Sequence, residues 1–382
     1  MTDSDILQIE FKTLCELLNP AEFDVPITWD DSQSKTDMYL DFLYKRLDKY
    51  RGFYWQKLRD YISSMTYPVD PEFERKTFRL SSVSVEVINY YYQGDLILAT
   101  NEFNKTLNEA NLFQRVTDNP ILTGANFYRA RVANDSRFTR KDLFHIPFQS
   151  RHLINTTRYS IPGYPALYLG SSVYVCWEEF DQQPISKIHF SRFSNKRPLH
   201  VIRLQRLSDV MEYINTSVPH VYDKITYLLE YIKIFPLILA CSYRAKHNKA
   251  AFKAEYVIPQ LLLQYVVKSP EIDGIMFPST KVNYNNIEGI TAYNYVFPVK
   301  TYAPEGFCRK LVDTFEMTEP TSTEIEALLH TSGIIFRNEG FVNPMPGTIS
   351  LVEGIKSTYL TTAFGRLQET IDKRELGPVS AL

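Results

Sequence analysis

The order of hydrophobic and polar residues divides the chain into a helical first part and a mixed part that follows it. Ile6 to Leu18 carries apolar residues at three- and four-residue steps, as on one face of an α-helix. Longer stretches with helical periodicity run from Lys35 to about Met65 and from Val83 to Leu112. We therefore predict a mostly helical accessory domain over residues 1–120, ending at turn-forming residues around Asn119-Pro120.

After these turn residues, positions on the two faces of a strand begin to alternate along the chain, as in a β-strand. Phe127 to Val132 alternates as a strand does, which places Arg129 and Arg131 on one face. Further strands are predicted at Ala166–Leu169, Ile185–Phe193, Pro198–Leu204 and Ile275–Phe277, and helices at Ile225–Arg244, around Pro236, and at Pro259–Val267. Because the elements mix without repeated βαβ units, we predict an α+β fold over residues 121–300. Residues 301–382 are predicted to form a C-terminal extension.

A loop, a strand and a capped helix follow one another between Arg158 and Phe180. Ser171 or Ser172 can cap the helix by accepting a hydrogen bond from a free backbone N–H. Four apolar residues of this helix are spaced as on one buried helix face, namely Val173, Cys176, Trp177 and Phe180. On the same helix Glu178 falls nearly opposite that face, and Glu179 falls on its flank. We therefore expect Glu178 to be solvated and Glu179 to face a cleft beside the core.

The composition of the chain argues against several classes of binding partner. The chain is 44% hydrophobic and 23% charged, and its net charge of −2 gives no positive field that would attract nucleic acid or an acidic membrane. The four cysteines form no CxxC pair, so we expect no metal site and no disulfide framework, which fits a reducing, cytoplasmic location. The longest apolar run, Ile234 to Cys241, is far shorter than a membrane span. Neither nucleic acid nor a membrane is an expected partner.

Several segments together resemble the motifs of the RES-domain family, which is named for an arginine, a glutamate and a serine and is known mainly for NAD-consuming toxins. The segments are Phe127–Arg131, Phe144–Phe148, Arg158–Ser160, Leu167–Leu169, Cys176–Glu179, Asp273–Ser279 and Asn294–Pro298. Their order and spacing across Asn126–Val299 carry the resemblance. It implies an ADP-ribosyltransferase-like core with a split β-sheet. No GxGxxG or P-loop motif is present, which argues against a Rossmann dehydrogenase or a kinase.

The resemblance implies that NAD is the substrate, and the chemistry of its nicotinamide–ribose bond suits the matching residues. Breaking this bond puts cationic character on the ribose, which a carboxylate stabilises, and we assign that role to Glu179. Arg129 and Arg158 match the family's arginines and could bind the pyrophosphate through bidentate hydrogen bonds. Tyr168 could stack on the nicotinamide. Ser279 could orient Glu179 or a ribose hydroxyl.

Each of these residues also has a simpler interpretation. The glutamate could be a solvated helix residue, the arginines could form surface ion pairs, the tyrosine could belong to the core and the serine to a turn. Arg131 is a weaker candidate than its neighbour on the same strand face. His145 and His152 could contact a phosphate, although a lone histidine is more often packed or on the surface.

The leading interpretation is an enzyme that cleaves the nicotinamide–ribose bond of NAD and acts as a toxin or defence effector. The acceptor stays open, since water would make it a glycohydrolase, phosphate a phosphorylase, and a protein side chain an ADP-ribosyltransferase. The alternative is a catalytically silent sensor of NAD or ADP-ribose.

The resemblance also implies a protein partner, because the family's short toxins pair with a helix-turn-helix antitoxin. The residues before 121 and after 300 depart from those short toxins, which favours control in cis or by another regulatory protein. Residues 1–120 could gate the cleft or hold a homo-oligomer, or they could complete the catalytic domain's core.

Overall fold

The computed structural model describes residues 2–18, 23–29, 36–112, 116, 118–133, 137–246, 251–329, 347–352 and 354–379. The chain forms two compact units. Unit 1 contains Met1–Asp118, Thr157–Tyr159 and Ile202–Ser269, and unit 2 contains Asn119–Thr156, Ser160–Val201 and Pro270–Leu382. In the described part of the chain, no helix is long and apolar enough to cross a membrane.

The described elements mix helices and strands. The helices are α1 (Asp3–Leu17), α2 (Thr36–Phe53), α3 (Arg59–Ser64), α4 (Phe73–Tyr92), α5 (Leu96–Glu109), α6 (Arg140–Leu143), α7 (Val173–Glu179), α8 (Leu207–Thr216), α9 (Val221–Cys241), α10 (Val257–Lys268), α11 (Arg309–Thr314), α12 (Thr323–Leu329) and α13 (Ala363–Asp372). The strands are β1 (Ile27–Trp29), β2 (Asn126–Val132), β3 (Ala166–Gly170), β4 (Ile188–Asn195), β5 (Val201–Arg203), β6 (Tyr243–Ala245), β7 (Gly274–Pro278), β8 (Ile287–Glu288), β9 (Tyr293–Pro298), β10 (Phe315–Met317), β11 (Thr348–Val352), β12 (Ile355–Thr358) and β13 (Gly377–Pro378).

Unit 1 is built around the apolar helix α9. The second half of α9 is buried, and the helix packs against α1 and α4, while α4 also packs against α5 and α10. The predicted helices around Pro236 form one continuous helix instead. Phe235 anchors this part of α9, since its ring centroid lies 4.6 Å from that of Phe23 and 5.1 Å from that of Tyr50. Tertiary packing thus overrides the local preference of proline to break a helix.

The first predicted helix, Ile6 to Leu18, is confirmed as α1. The stretch predicted from Val83 to Leu112 divides into α4 and α5, and α4 begins ten residues earlier, at Phe73. Gly94 adopts a φ of +80° between the two helices, a backbone conformation that glycine takes without steric cost. Asp95 then caps α5 by accepting a hydrogen bond from the N–H of Leu98.

In the main sheet, the seven strands that lie wholly within unit 2 follow the order β13-β10-β4-β2-β3-β9-β7. All of these neighbours pair antiparallel, and β2 and β4 form a long ladder from Asn126 opposite Ser194 to Val132 opposite Ile188. In contrast, β2 and β3 pair only at Tyr128 and Gly170 in these described strands. The sheet therefore consists of two halves that separate beyond a single residue pair. A small second sheet has the order β12-β11-β8.

Two apolar clusters cover the two faces of this sheet. One cluster contains Phe127, Leu167, Leu169, Phe193, Phe297 and Phe315. The other contains Tyr128, Ala130, Phe190 and residues of α7 and α13, so these two helices pack on the same face. The alternation of each strand explains why successive residues join different clusters. The predicted α+β class agrees with this mixture of antiparallel sheet and separate helices.

The division after Asp118 lies close to the predicted boundary near residue 120, but no division falls near residue 300, and residues 202–269 are not part of the same unit as the seven strands of unit 2. Residues 202–269 group with the first unit because the apolar faces of α9 and α10 are buried against α4. The described residues after 300 group with the sheet, because β10 and β13 extend it and α13 packs on one face.

Candidate active site

The helix that carries Glu179 is fixed on the sheet at its beginning. Ser172 caps α7 by accepting a hydrogen bond from the N–H of Val175, as the sequence predicts for Ser171 or Ser172. The N–H of Val173 donates to Oε1 of Gln368 in α13 at 3.1 Å. Below the helix, a Cβ on Gly170 would lie 2.8 Å from Sγ of Cys176, so only glycine at this position allows α7 to approach β3 so closely.

Glu179, at the end of α7, holds the centre of the site. Its Oε1 atom accepts hydrogen bonds from Oγ of Ser279 at 2.8 Å and from Nδ2 of Asn294 at 2.6 Å. Ser279 and Asn294 are buried, whereas Glu179 is half-buried. Among the described residues, no hydrogen bond reaches Oε2 and no cation pairs with the carboxylate. One oxygen is therefore oriented by neutral donors while the other remains available to a ligand.

The expectation that Glu178 is solvated is wrong. Only 7% of this residue is exposed, and its carboxylate accepts a hydrogen bond from Nε2 of Gln182 at 3.2 Å. Burial, together with a hydrogen bond to Glu178, raises the pKa of Tyr174 well above its usual value. The helical wheel assumes one buried face, but α7 contacts the sheet on one side and α13 on another. Trp177, expected on the core face, is only half-buried.

A lysine that the sequence analysis did not single out connects the two loops of the site. Nζ of Lys281 donates to the backbone carbonyl of Glu179 at 2.8 Å and to Oδ1 of Asp181 at 2.9 Å. Asp181 and Gln182 have positive φ values of 52° and 59°, which turn the chain sharply after α7. Lys281 thus ties the loop after β7 to the end of the Glu179 helix.

Asn294 was also missed as a site residue, although it lies in one of the segments that carry the family resemblance. Its position follows from strand register, since Asn294 pairs with Gly170 on β3 and with Phe277 on β7. Directly opposite residues share a sheet face, so Asn294 points to the same side as Tyr168 and Phe277. Only this register brings Asn294 to Glu179, and a single sequence carries no local signal for it.

Arg129 occupies the place where the two halves of the sheet separate. Its Nη1 donates to the backbone carbonyl of Tyr168 at 2.7 Å, where a continued ladder between β2 and β3 would supply a backbone donor. Burial lowers the pKa of Arg129 to about 10, so the guanidinium stays charged at neutral pH. Its Nε atom is buried and has no hydrogen-bond partner among the described residues. The side chain of Tyr168 is half-buried, on the face that carries Glu179.

Arg158 belongs to unit 1 rather than to the unit that holds the other candidates. Its Nη1 lies 3.4 Å from the backbone carbonyl of Cys241, and its guanidinium lies 5.1 Å from the centre of the Tyr256 ring. Its assignment to the pyrophosphate stays a prediction.

The two histidines differ in their surroundings. His145 is buried, and its Nε2 accepts a hydrogen bond from the N–H of Cys308 at 2.9 Å while Nδ1 contacts the carbonyl of Ile146 at 2.8 Å. Burial lowers the pKa of His145 to about 4. It is therefore a neutral, packed residue, whereas His152 is exposed. Within the described ranges, His, Cys, Asp and Glu form no group of three that could hold a metal ion.

Comparison with known proteins shows a sequence similarity to a curated bacterial protein. No protein-family profile matches the chain. A Bacillus subtilis (strain 168) protein described as "Putative toxin YopC" is 34% identical over 275 residues, which cover 65% of this chain and 61% of that protein. The chain thus spans less than two thirds of the length of this relative. A solved M. tuberculosis MbcT-MbcA toxin-antitoxin complex matches 56% of this chain and 97% of the solved chain, with 12% identity and a TM-score of 0.28.

Proposed function

We propose that this protein cleaves the nicotinamide–ribose bond of NAD, with Glu179 as the residue that stabilises the transition state. The observation that carries the proposal is the carboxylate held through Oε1 by two neutral donors, Ser279 and Asn294. Because neither donor neutralises the carboxylate, its full negative charge can oppose the cationic character that develops on the ribose. Oε2 is free to contact a ribose hydroxyl. NAD is the substrate in this proposal, and no metal is needed.

The split in the sheet supports an ADP-ribosyltransferase-like, RES-type core as part of the same proposal. Arg129 lies at the split and donates through one nitrogen to Tyr168, which leaves further N–H groups for a pyrophosphate oxygen. The ring of Tyr168, on the sheet face of Glu179, is assigned to the nicotinamide. Arg158 is proposed as a second pyrophosphate ligand on the strength of the sequence resemblance alone.

The biological role proposed is that of a toxin, because a relative at 34% identity is described as one. An enzyme that consumes an abundant cofactor must be restrained in the cell that makes it. We therefore include an antitoxin or another regulatory protein as a partner, and a cytoplasmic site of action, where NAD is available.

The decisive experiment is to incubate the purified protein with NAD and to follow free nicotinamide. Release of nicotinamide supports the proposal, whereas NAD binding without release would instead identify a silent sensor. The acceptor is identified by repeating the reaction with and without phosphate and separating the products. Free ADP-ribose indicates water, its 1″-phosphate indicates inorganic phosphate, and label from NAD on a protein indicates a side-chain acceptor. No turnover and no binding would refute the proposed function.

A further inference from the structure

The first backbone N–H groups of α7, the helix that carries Glu179, need acceptors from outside the helix. The first turn of any α-helix leaves N–H groups without an intrahelical partner. In α7 this end is buried, since Val173 and Val175 are both buried residues. The cap residue Ser172 accepts from the N–H of Val175, which leaves the N–H of Val173 to another acceptor. A buried N–H without an acceptor would destabilise this end of the helix.

The acceptor for Val173 is Gln368, which lies on α13 in the C-terminal extension. Its Oε1 accepts from the N–H of Val173 at 3.1 Å and from the hydroxyl of Tyr359 at 2.9 Å. Because an amide nitrogen cannot accept a hydrogen bond, only the oxygen of Gln368 can lie at this position. Burial raises the pKa of Tyr359 well above its usual value, so the hydroxyl remains a neutral donor.

The helix that carries Gln368 is itself attached to the sheet, away from its contact with α7. Oδ1 of Asp372, at the end of α13, accepts from the hydroxyl of Tyr128 on β2 at 2.6 Å. Leu367 and Ile371 are buried in the apolar cluster on the same sheet face. Gln368 therefore projects from a helix that is fixed independently, and it can serve as a fixed point for the start of α7.

We propose that Gln368 is a positioning residue for the carboxylate of Glu179, an inference that rests on the proposed function. The helix α7 has only seven residues, so Val173 lies about 9 Å from Glu179 along the helix axis. A helix this short is not stable by itself and depends on its tertiary contacts. A shift at Val173 is therefore transmitted to Glu179, whose carboxylate must meet Ser279 and Asn294. In this proposal the C-terminal extension is a working part of the active site.

The test compares the steady-state kinetics of full-length variants with NAD as the substrate. Gln368→Leu removes the acceptor at nearly constant size. Its kcat should fall roughly tenfold while KM stays within about twofold, because the groups that contact the substrate are unchanged. Gln368→Glu keeps an acceptor oxygen and places a negative charge at a helix N-terminus, where it is favourable, so most of kcat should return.

Tyr128→Phe is the matched control. It removes a different hydrogen bond of α13, one that does not involve α7. Urea unfolding should show a similar loss of stability in Tyr128→Phe and Gln368→Leu, but Tyr128→Phe should keep the kcat of wild type. If Gln368→Leu does not fold, Tyr359→Phe replaces it, since it frees the Gln368 amide and should lower kcat in the same direction.

Hydrogen exchange followed by mass spectrometry gives a second readout that does not depend on turnover. The amides of α7 should exchange several-fold faster in Gln368→Leu than in wild type, and Tyr128→Phe should leave them unchanged. If wild type released no nicotinamide, the proposed function would fail, and the exchange rates alone would decide whether Gln368 holds α7.

Three results overturn the positioning role. The first is a wild-type kcat in Gln368→Leu. The second is an equal loss of kcat in Gln368→Leu and Tyr128→Phe, which would make Gln368 a contributor to stability only. The third is unchanged exchange of the α7 amides in Gln368→Leu, because the helix would then be held without this residue.

Discussion

The Oγ atom of Ser279 lies 2.8 Å from Oε1 of Glu179, and this hydrogen bond joins residues that are 100 positions apart in the sequence. Asn294 donates to the same oxygen from a third element, the beginning of β9. The orientation of the carboxylate therefore depends on the end of α7, the end of β7 and the start of β9 together. A substitution in any of these three elements should therefore alter the orientation of the Glu179 carboxylate while leaving the carboxylate itself in place.

Glu179→Gln should slow nicotinamide release by more than about 100-fold, since it keeps the shape of the side chain and removes a charge worth about 3 kcal/mol or more of barrier. Its circular dichroism spectrum should be that of wild type. Glu369→Gln, at an exposed ion pair on α13, is the matched control and should keep full activity. A Glu179→Gln variant with normal turnover would remove Glu179 from the chemistry.

Lys281→Met should lower kcat while leaving KM for NAD nearly unchanged, because the lysine holds the backbone of Glu179 and does not face the substrate in our proposal. We expect a loss of roughly tenfold, the size of one charge-assisted hydrogen bond. Lys281→Arg should restore much of the rate. Asp181→Asn is the comparison, and its effect should be small since the Asp181 side chain is 82% exposed. Equal changes in KM and kcat in Lys281→Met would argue against positioning.

Arg129→Lys should raise KM for NAD by about tenfold although the charge is retained. Lysine cannot hold the Tyr168 carbonyl and offer a second pair of donors to the pyrophosphate. The control is Arg131→Lys, which should have little effect on KM. Arg131 lies two residues further along the same strand and is exposed. Arg158→Lys, measured in the same assay, should also raise KM if Arg158 binds the pyrophosphate. Unchanged kinetics in Arg129→Lys would leave it a purely structural residue.

His145 should make the free energy of unfolding depend on pH in the acidic range. The pKa of His145 is about 4 in the folded chain and near 6.5 when unfolded, so the unfolded chain binds the proton first as pH falls. The contribution of neutral His145 to the free energy of unfolding is complete above pH 6.5. It declines toward pH 4, by up to about 3 kcal/mol. His145→Gln, whose amide can replace Nε2, should show a shallower decline in urea unfolding at pH 7.5, 6 and 5. Parallel curves for the two proteins would contradict this.

A fragment of residues 121–382 should aggregate, because it keeps α9 and α10 but lacks α1, α4 and α5, against which unit 1 buries its apolar helices. Replacing residues 202–269 of that fragment with a short Gly/Ser linker removes these exposed faces and should restore solubility. Gel filtration of both fragments distinguishes an aggregated fragment from a soluble one. A soluble, active 121–382 fragment would favour the view that residues 1–120 gate the cleft.

The sequence identifies those parts of the site that are encoded locally. Periodicity places the Glu179 helix and its serine cap, and Ser279 follows a strand end that the pattern also predicts. The surroundings of Glu178 are not predictable in this way, because α13 lies almost 200 residues further along the chain. Asn294 reaches Glu179 only through the register of β3, β9 and β7. Contacts of this kind are decided by tertiary packing.

The hydrogen bond from Val173 to Gln368 joins residues 195 positions apart, so it forms only after both have been synthesised. Ribosomes release a chain from its N-terminus at roughly 5–20 residues per second. The helix that ends at Glu179 therefore leaves the ribosome about ten seconds or more before the residue that completes its cap. The proposed active site is therefore complete, with its helix held by Gln368, only after residue 368 has been translated.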